Sequence, residues 1–130
     1  MNGTPVRPRV GLVEDNPDNR LLVLAILEDQ FDIVEYENGA EALSDIPRQN
    51  LDLVLLDISL PGQDGTEVLR GLRREPSLDG LPVIALTAHA MTGDRERYLA
   101  AGFDDYITKP IVDEDELVGA IRRLLAARGR

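Results

Sequence analysis

The sequence predicts an α/β domain built on one doubly wound, five-stranded parallel sheet. Short apolar segments alternate with helix-like segments along the 130 residues, in the order βαβαβαβαβα. Two of the apolar segments, 51–57 and 81–87, are hydrophobic on both faces, which is typical of parallel strands covered by helices on either side. Right-handed crossovers between such strands favour a small doubly wound sheet.

The first strand and first helix are separated by a clear start signal. Residues 9–14 (RVGLVE) form a short apolar run that ends in an acid. Asn16 is a suitable N-cap and Pro17 suits the first helical position, so a heavily buried helix is expected over about 17–30. Periodicity alone would also allow a strand here, but the length and the caps favour the helix.

The middle of the chain continues the alternation. Residues 31–37 predict the second strand, 39–49 a short helix with Pro47 near its end, and 51–57 the third strand. A third helix follows over 66–74, with its apolar residues on one side.

The last third of the chain has the clearest helix. The expected elements are a fourth strand over 81–87, a helix over 92–102 ended by a glycine, and a short strand over 105–108. The final helix, 113–128, has acids at its start and arginines at its end, which matches the helix dipole. Residues 1–8 and 128–130 are expected to be flexible tails, which leaves 9–127 as one domain.

Composition narrows the class of protein. The chain has no cysteine, so disulfides and thiolate metal sites are excluded. Its longest apolar run, Leu21 to Leu27, is far shorter than the roughly 20 residues that span a bilayer, and residues 1–12 lack a signal-peptide centre. We therefore expect a cytoplasmic protein without membrane association. A net charge of −10 disfavours nucleic-acid binding and would suit a cation if several acids converge.

Polar residues follow four of the five predicted strands. Glu14 and Asp15 end the first strand, Asp57 the third, Thr87 the fourth and Lys109 the fifth. In a parallel sheet these positions share one edge, where doubly wound folds bind ligands. Three clustered carboxylates need a counter-charge, and Mg²⁺ prefers oxygen ligands of this kind. A carboxylate nucleophile, a metal, an ammonium group and a hydroxyl together indicate phosphoryl transfer.

Four motifs carry a family resemblance. VEDN (13–16), LLDISLPGQDG (55–65), ALTAHA (85–90) and YITKPI (106–111) resemble, in order and spacing, those of the receiver domains of bacterial two-component response regulators. The resemblance covers about 9–127. It implies the flavodoxin-like, CheY-like receiver fold and a phosphorylation-dependent switch in a two-component or phosphorelay system. It also implies a domain that catalyses only its own phosphoryl uptake and autodephosphorylation, rather than an enzyme.

The resemblance implies a phosphorylation site and a metal site. Asp57 matches the phosphoacceptor, which forms an aspartyl phosphate from a phosphohistidine donor. Glu14 and Asp15 match the acidic pair that holds Mg²⁺ or Mn²⁺, together with Asp57 and the backbone carbonyl of Ser59. Glu14 stands where aspartate is usual, and Gln63 where methionine is frequent.

The resemblance also implies switch residues. Thr87 matches the hydroxyl residue that moves to bind the phosphoryl group, and Lys109 the lysine that pairs with it. Tyr106 matches the aromatic residue whose ring swings inward as the threonine moves, although an ordinary half-buried strand tyrosine is the other interpretation. Pro110 follows the lysine, and the family commonly holds that peptide bond in cis. His89, the only histidine, is hypothesised to shape access of the hydrolytic water, against the simpler interpretation of an exposed residue.

Two interaction surfaces are expected. A histidine kinase or a histidine phosphotransfer protein would dock on helix 17–30 and the segment after Pro110. A downstream protein or a second copy of the chain would bind the face formed by the fourth helix (92–102), the fifth strand (105–108) and the fifth helix (113–128). Candidate residues on the first surface are Asn16, Asn19, Arg20 and Ile111.

Three alternatives remain open at this point. A stand-alone receiver is expected because no output domain follows residue 130 and the sequence starts with Met1; the alternative is a receiver excised from a hybrid histidine kinase or larger regulator. An aspartate-nucleophile phosphatase would need a second acid two residues after Asp57, where Ser59 stands. A nucleotide-binding module is disfavoured by the absence of a glycine-rich phosphate loop.

Overall fold

A computed structural model describes residues 7–60, 63–88, 93–109, 111 and 113–128. Of the positions singled out in the sequence, His89 and Pro110 lie outside the described residues. No helix in the described part of the chain is long and apolar enough to cross a membrane.

The described residues contain the predicted five-stranded parallel sheet. The strands are β1 (Arg9–Val13), β2 (Asp32–Tyr36), β3 (Leu53–Asp57), β4 (Val83–Thr87) and β5 (Asp105–Thr108). Their spatial order is β2-β1-β3-β4-β5, and every neighbouring pair is parallel. This order reverses direction between β1 and β3, because the chain moves outward to β2 first and then crosses back. The sequence-based prediction of the fold class is confirmed.

The helices cover both faces of the sheet. They are α1 (Pro17–Leu27), α2 (Gly39–Asp45), α3 (Gly65–Arg73), α4 (Asp94–Ala101) and α5 (Glu114–Arg128). One buried apolar cluster joins the sheet to α1 and α5, and a second joins its other face to α2, α3 and α4. Burial of continuous apolar strands between two helical layers explains why β3 and β4 are buried at every position.

Helix starts follow the predicted capping chemistry. The Asn16 side chain accepts hydrogen bonds from the backbone amides of Asp18 at 2.8 Å and Asn19 at 3.2 Å, and Pro17 occupies the first turn. α1 ends at Leu27, three residues before the predicted end at residue 30.

The start of α4 also differs from the prediction. The helix begins at Asp94, two residues after the predicted start, and follows Gly93, whose φ is 88°.

Burial of α1 differs from the sequence-based expectation. The prediction of a heavily buried helix is wrong for its outer side, where Leu21 is 64% exposed and Leu22 is 40% exposed. The apolar run is longer than the helix can bury, because only one stripe of a surface helix faces the sheet. The inner side is buried as expected, through Val23, Ile26 and Leu27.

A short antiparallel pair, Ser59–Leu60 with Gln63–Asp64, was not predicted. It lies directly after β3 and leads into α3, whose start is fixed by a capping box between Asp64 and Glu67. The pair therefore sets the path of the chain immediately beyond Asp57.

Pro8 lies at the amino edge of the sheet, just before β1. It belongs to the N-terminal segment that was expected to be a tail, but its carbonyl accepts a hydrogen bond from the Asp32 amide at 3.0 Å.

Candidate functional site

The candidate site lies at the carboxyl edge of the sheet, where the strand order reverses. Glu14 follows β1, Asp57 is the last residue of β3, and Lys109 follows β5. Because all five strands are parallel, these three residues leave the sheet at the same edge. Doubly wound sheets bind ligands in the crevice at this point.

Lys109 joins two buried carboxylates. Its ammonium Nζ donates to Glu14 Oε1 at 3.1 Å and lies 3.2 Å from Asp57 Oδ2. Glu14 is 1% exposed and Asp57 is 2% exposed, so both contacts are shielded from water. The predicted convergence of β1, β3 and β5 residues at one point is therefore present as direct contact.

A third acid completes a group of oxygen donors. Ligand atoms from Glu14, Asp15 and Asp57 all lie within 4.8 Å of one another. One ammonium group balances only one of three potential negative charges, so the cluster has capacity for a divalent cation. Carboxylate oxygens without sulfur or imidazole suit Mg²⁺ or Mn²⁺. The donor set therefore fits the metal that the sequence predicts.

The electrostatics of Glu14 reflect this crowding. Burial, followed by the hydrogen bond and the negative charge of Asp57, raises the pKa of Glu14 to about 7, although Lys109 opposes the shift. Burial lowers the pKa of Lys109, but its bond to Glu14 and the charges of both acids outweigh burial, so the net shift is upward. The ammonium therefore stays charged, and Glu14 is the group of this pair that titrates near neutral pH.

Asp57 is oriented by the backbone that follows it. The Ser59 amide donates to Asp57 Oδ1 at 3.0 Å, which leaves Oδ2 toward Lys109. Gly65 packs closely against the same turn: a Cβ there would lie 2.8 Å from the Asp57 carbonyl oxygen and 2.7 Å from the Ile58 Cα. The first residue of α3 therefore packs directly against the end of β3, and the absence of a side chain at Gly65 permits this close approach.

Thr87 and Lys109 are linked through their backbones. Thr87 is the last residue of β4, is 1% exposed, and its carbonyl accepts a hydrogen bond from the Lys109 amide at 2.7 Å. It lies one residue beyond Leu86, the register partner of Asp57. The hydroxyl residue and the lysine are thus held on adjacent strands at the edge that carries Asp57.

Tyr106 is half-buried beside α4. It pairs with Ala85 in β4, and its ring centroid lies 5.9 Å from that of Tyr98. The Arg95 guanidinium carbon lies 5.9 Å from the centre of the same ring. These contacts connect the edge formed by β4 and β5 to α4. The resemblance implies that Thr87 and Tyr106 are coupled at this edge.

Sequence reasoning missed an apolar surface beside the site. Leu22 of α1 lies beside Asn19, Lys109 and Ile111 around a small depression that also reaches Glu14. Leu21 and Leu22 are exposed on the outer side of α1. The continuous apolar run 21–27 suggested instead that the helix is buried on all sides. A helical wheel counted from Asn16 would have shown which leucines lie away from the sheet-facing stripe.

Arg20 is more buried than its expected position on the docking surface implies. Its side chain, assigned to the docking surface by sequence, is only 14% exposed, and its guanidinium contacts the backbone just after β1. No sequence motif signals this arrangement, which depends on how α1 packs against β1 and β2.

Comparison with known proteins decides the family. The response regulator receiver domain profile matches residues 10–122, which is most of the chain. The chain belongs to the response regulator receiver domain family. Receiver domains act as signalling switches of two-component phosphorelay systems and are not classical enzymes.

Relatives of the receiver domain occur in proteins of two sizes. The sensor protein GacS of Pseudomonas syringae pv. syringae is 45% identical over 108 residues, which are 80% of this chain but 12% of that protein. The polar-differentiation response regulator DivK of Brucella anthropi is 42% identical over 103 residues, covering 78% of this chain and 84% of that protein. The chain therefore spans a small part of the sensor protein and most of the regulator.

Solved structures show the same receiver fold. The receiver domain of sensor histidine kinase PA1611 from Pseudomonas aeruginosa PAO1 aligns with a TM-score of 0.84 at 35% identity, over 93% of this chain and 99% of that one. That structure has a magnesium ion coordinated in its active-site cleft. The chemotaxis protein CheY4 of Vibrio cholerae aligns with a TM-score of 0.83 at 22% identity, which shows the shared fold.

Proposed function

We propose that this receiver domain accepts a phosphoryl group from a phosphohistidine donor on Asp57 and thereby changes its partner binding. The observation that carries the proposal is the setting of Asp57. It is a buried carboxylate with one oxygen on the Ser59 amide at 3.0 Å and the other 3.2 Å from the Lys109 ammonium. A structural carboxylate has no need of two further acids beside it, whereas a phosphoryl acceptor that uses a metal does.

The proposed chemistry is a single displacement at phosphorus. An Asp57 carboxylate oxygen attacks the phosphorus atom, the phosphorus–nitrogen bond of the donor breaks, and the imidazole takes the electron pair. Lys109 would then shift from the free carboxylate to the new phosphoryl oxygens. The Thr87 hydroxyl would donate to another of these oxygens, which draws the end of β4 toward the site.

The acidic cluster fits a divalent cation in this proposal. Glu14, Asp15, Asp57 and the Ser59 carbonyl would hold Mg²⁺ or Mn²⁺, and the bound ion would neutralise charge on the transferring phosphoryl group. The support from this chain is the convergence of three carboxylates within 4.8 Å. The magnesium ion coordinated in the active-site cleft of the PA1611 receiver supports a metal at this position in the fold.

The proposed donor surface is the outer side of α1 with the segment after β5. Leu22 and Ile111 supply apolar contact next to Lys109, and Asn16 and Asn19 supply polar contact at the start of the helix. A histidine kinase or histidine phosphotransfer protein would bring its phosphohistidine to Asp57 from this side. Several relatives are named as histidine kinases, which agrees with such a donor.

The proposed output surface is the face of α4, β5 and α5. Thr87 and Tyr106 would couple phosphorylation to this face, because Thr87 ends β4 and the Tyr106 ring packs against Tyr98 of α4. A downstream protein or a second copy of the chain would bind there. Pro110 as a third switch residue remains a prediction, since it lies outside the described residues.

Mass spectrometry of the intact protein tests this function. Incubation with acetyl phosphate and Mg²⁺ should add one phosphoryl group to the wild type and none to Asp57→Asn. Asp18→Asn, an acid in the first turn of α1, is the matched control and should be modified like the wild type. An adduct of equal yield on Asp57→Asn would refute the proposal, and so would an adduct that forms equally well in EDTA.

A further inference from the structure

Arg20 makes a set of contacts that the proposed phosphorylation chemistry does not use. Its Nη1 donates to the carbonyl oxygens of Glu14 at 2.8 Å and Asp15 at 3.2 Å. The same guanidinium forms ion pairs with Glu35 at 3.4 Å and Glu37 at 3.6 Å. One side chain therefore ties the turn after β1 to the end of β2.

The two carbonyl contacts act on the acidic cluster. Glu14 and Asp15 follow β1 directly, so their peptide groups are where the regular pairing of the strand ends. The direction in which a side chain leaves the backbone is set by the peptide groups on either side of it. Holding both carbonyl oxygens therefore fixes the directions of the two carboxylates that face Asp57.

Arg20 is itself held rigidly. Its amide donates to the Asn16 carbonyl at 3.0 Å, the first hydrogen bond of α1, and Asn16 is the N-cap of that helix. Its side chain is 14% exposed. A planar guanidinium can meet carbonyls and carboxylates simultaneously in a fixed fork, which the single ammonium group of a lysine cannot do.

We propose that Arg20 is a positioning residue for the divalent-cation site: it orients the backbone of Glu14 and Asp15 so that their carboxylates converge on Asp57. This inference rests on the proposed metal-dependent function. Groups that orient metal ligands typically change metal affinity about 10- to 100-fold when they are removed. Arg20 acts through the ligands and does not touch the metal or the phosphoryl group.

An electrostatic role and a positioning role of Arg20 predict opposite changes in Mg²⁺ affinity when Arg20 is removed. A purely electrostatic role would oppose cation binding, because Arg20 is positive, so its removal would tighten Mg²⁺ binding. A positioning role predicts weaker binding even when the charge is kept. Arg20→Lys keeps the charge and loses the fork, and Arg20→Ala loses both.

The experiment measures Mg²⁺ binding by isothermal titration calorimetry at fixed pH and ionic strength, with the wild type and three variants. We expect Arg20→Lys and Arg20→Ala each to raise the Mg²⁺ dissociation constant about tenfold. Arg48→Ala is the matched control, because Arg48 is a 73% exposed arginine paired only with Asp45 within the described residues, and it should bind like the wild type. Wild-type affinity in Arg20→Lys, or tighter binding in Arg20→Ala, would overturn the proposal.

A second measurement separates positioning from general damage. The rate of phosphorylation by acetyl phosphate is followed against Mg²⁺ concentration for the wild type and Arg20→Lys. Positioning predicts a half-saturating Mg²⁺ concentration about tenfold higher with an unchanged rate at saturation. A fall in the saturating rate alone contradicts it. If the wild type itself binds no Mg²⁺, the proposed function fails; if the wild type binds and Arg20→Lys matches it, only the role of Arg20 fails.

Discussion

The environment of Glu14 differs strongly from water, because its carboxylate is buried beside a second acid. Its pKa is raised to about 7 from 4.5, chiefly by burial and then by Asp57. Between these two values the folded protein binds a proton that the unfolded protein has released. The unfolding free energy of the metal-free protein therefore decreases as the pH rises through this interval.

Titration of Glu14 should make the stability of the metal-free protein depend on pH. Without metal, Glu14 should contribute a loss of roughly 3 kcal/mol of stability between pH 4.5 and pH 7. Urea denaturation in EDTA at pH 5 and pH 8 measures the change, and Glu14→Gln, which cannot titrate, should lose less stability than the wild type over the same range. Parallel pH profiles for the two proteins would show that Glu14 does not titrate near neutral pH.

The contacts of Lys109 explain how Glu14 and Asp57 can be buried side by side. Lys109 neutralises part of the charge of Glu14 and Asp57 in the absence of metal. Removal of the lysine leaves two buried carboxylates without their partner, which is costly unless one takes a proton. The ammonium therefore has a structural role as well as its proposed role at the phosphoryl group.

At the scale of elements, the start of α3 supports the strand that presents Asp57. Gly65→Ala would place a Cβ 2.7 Å from backbone atoms that cannot move without shifting the turn after β3. We expect a loss of about 1 to 3 kcal/mol in unfolding free energy.

A glycine in α5 provides the matched control for Gly65. Gly119 lies within a helix, and a Cβ there would meet only the end of the Arg123 side chain, at 3.5 Å. Gly119→Ala should therefore stabilise the protein by about 0.5 to 1 kcal/mol in urea denaturation. Equal effects of the two substitutions would mean that Gly65 is not constrained by the turn.

Asp105 braces the proposed output face. This carboxylate, at the start of β5, is 7% exposed and accepts from Arg95 of α4 at 3.0 Å, and it lies 3.4 Å from Arg123 of α5. Its Oδ1 also accepts the Tyr106 amide at 2.8 Å. One buried acid thus connects all three elements of the face and the residue expected to switch.

Asp105→Asn should loosen this face more than it affects the site. The asparagine keeps the shape and loses the two charged contacts, which we expect to cost about 1 to 3 kcal/mol. The exchange of backbone amide hydrogens should become faster in α4 and at the start of β5. The Mg²⁺ affinity of Asp105→Asn should equal that of the wild type. Arg48→Ala, which removes a 73% exposed arginine paired with Asp45 outside this face, is the control and should change exchange in α4 and β5 little. Unaltered exchange in Asp105→Asn would show that the brace is not needed.

For the whole molecule, the sequence predicted what is encoded locally. Alternating apolar and capped segments predicted the five strands and five helices, and the acids at strand ends predicted which of them meet. The contact between Lys109 and both Glu14 and Asp57 follows from parallel topology, so it too was predictable.

Features that depend on packing between distant segments were not predictable. The contacts of Arg20 depend on the distance between β2 and the turn after β1, which the local sequence does not determine. The pair of two-residue strands after Asp57 has too few residues to show a periodic pattern. Local sequence therefore identified the side chains that meet at the candidate site, and tertiary packing determines what holds them in place.

The most direct test of the account is to locate the phosphoryl group chemically. The wild-type protein is phosphorylated with acetyl phosphate and Mg²⁺, the acyl phosphate is reduced with borohydride, and peptides are mapped by tandem mass spectrometry. We expect Asp57 to be the residue reduced, and the reduction to require both Mg²⁺ and acetyl phosphate. Reduction at Glu14, Asp15 or another acid, with Asp57 unmodified, would contradict it.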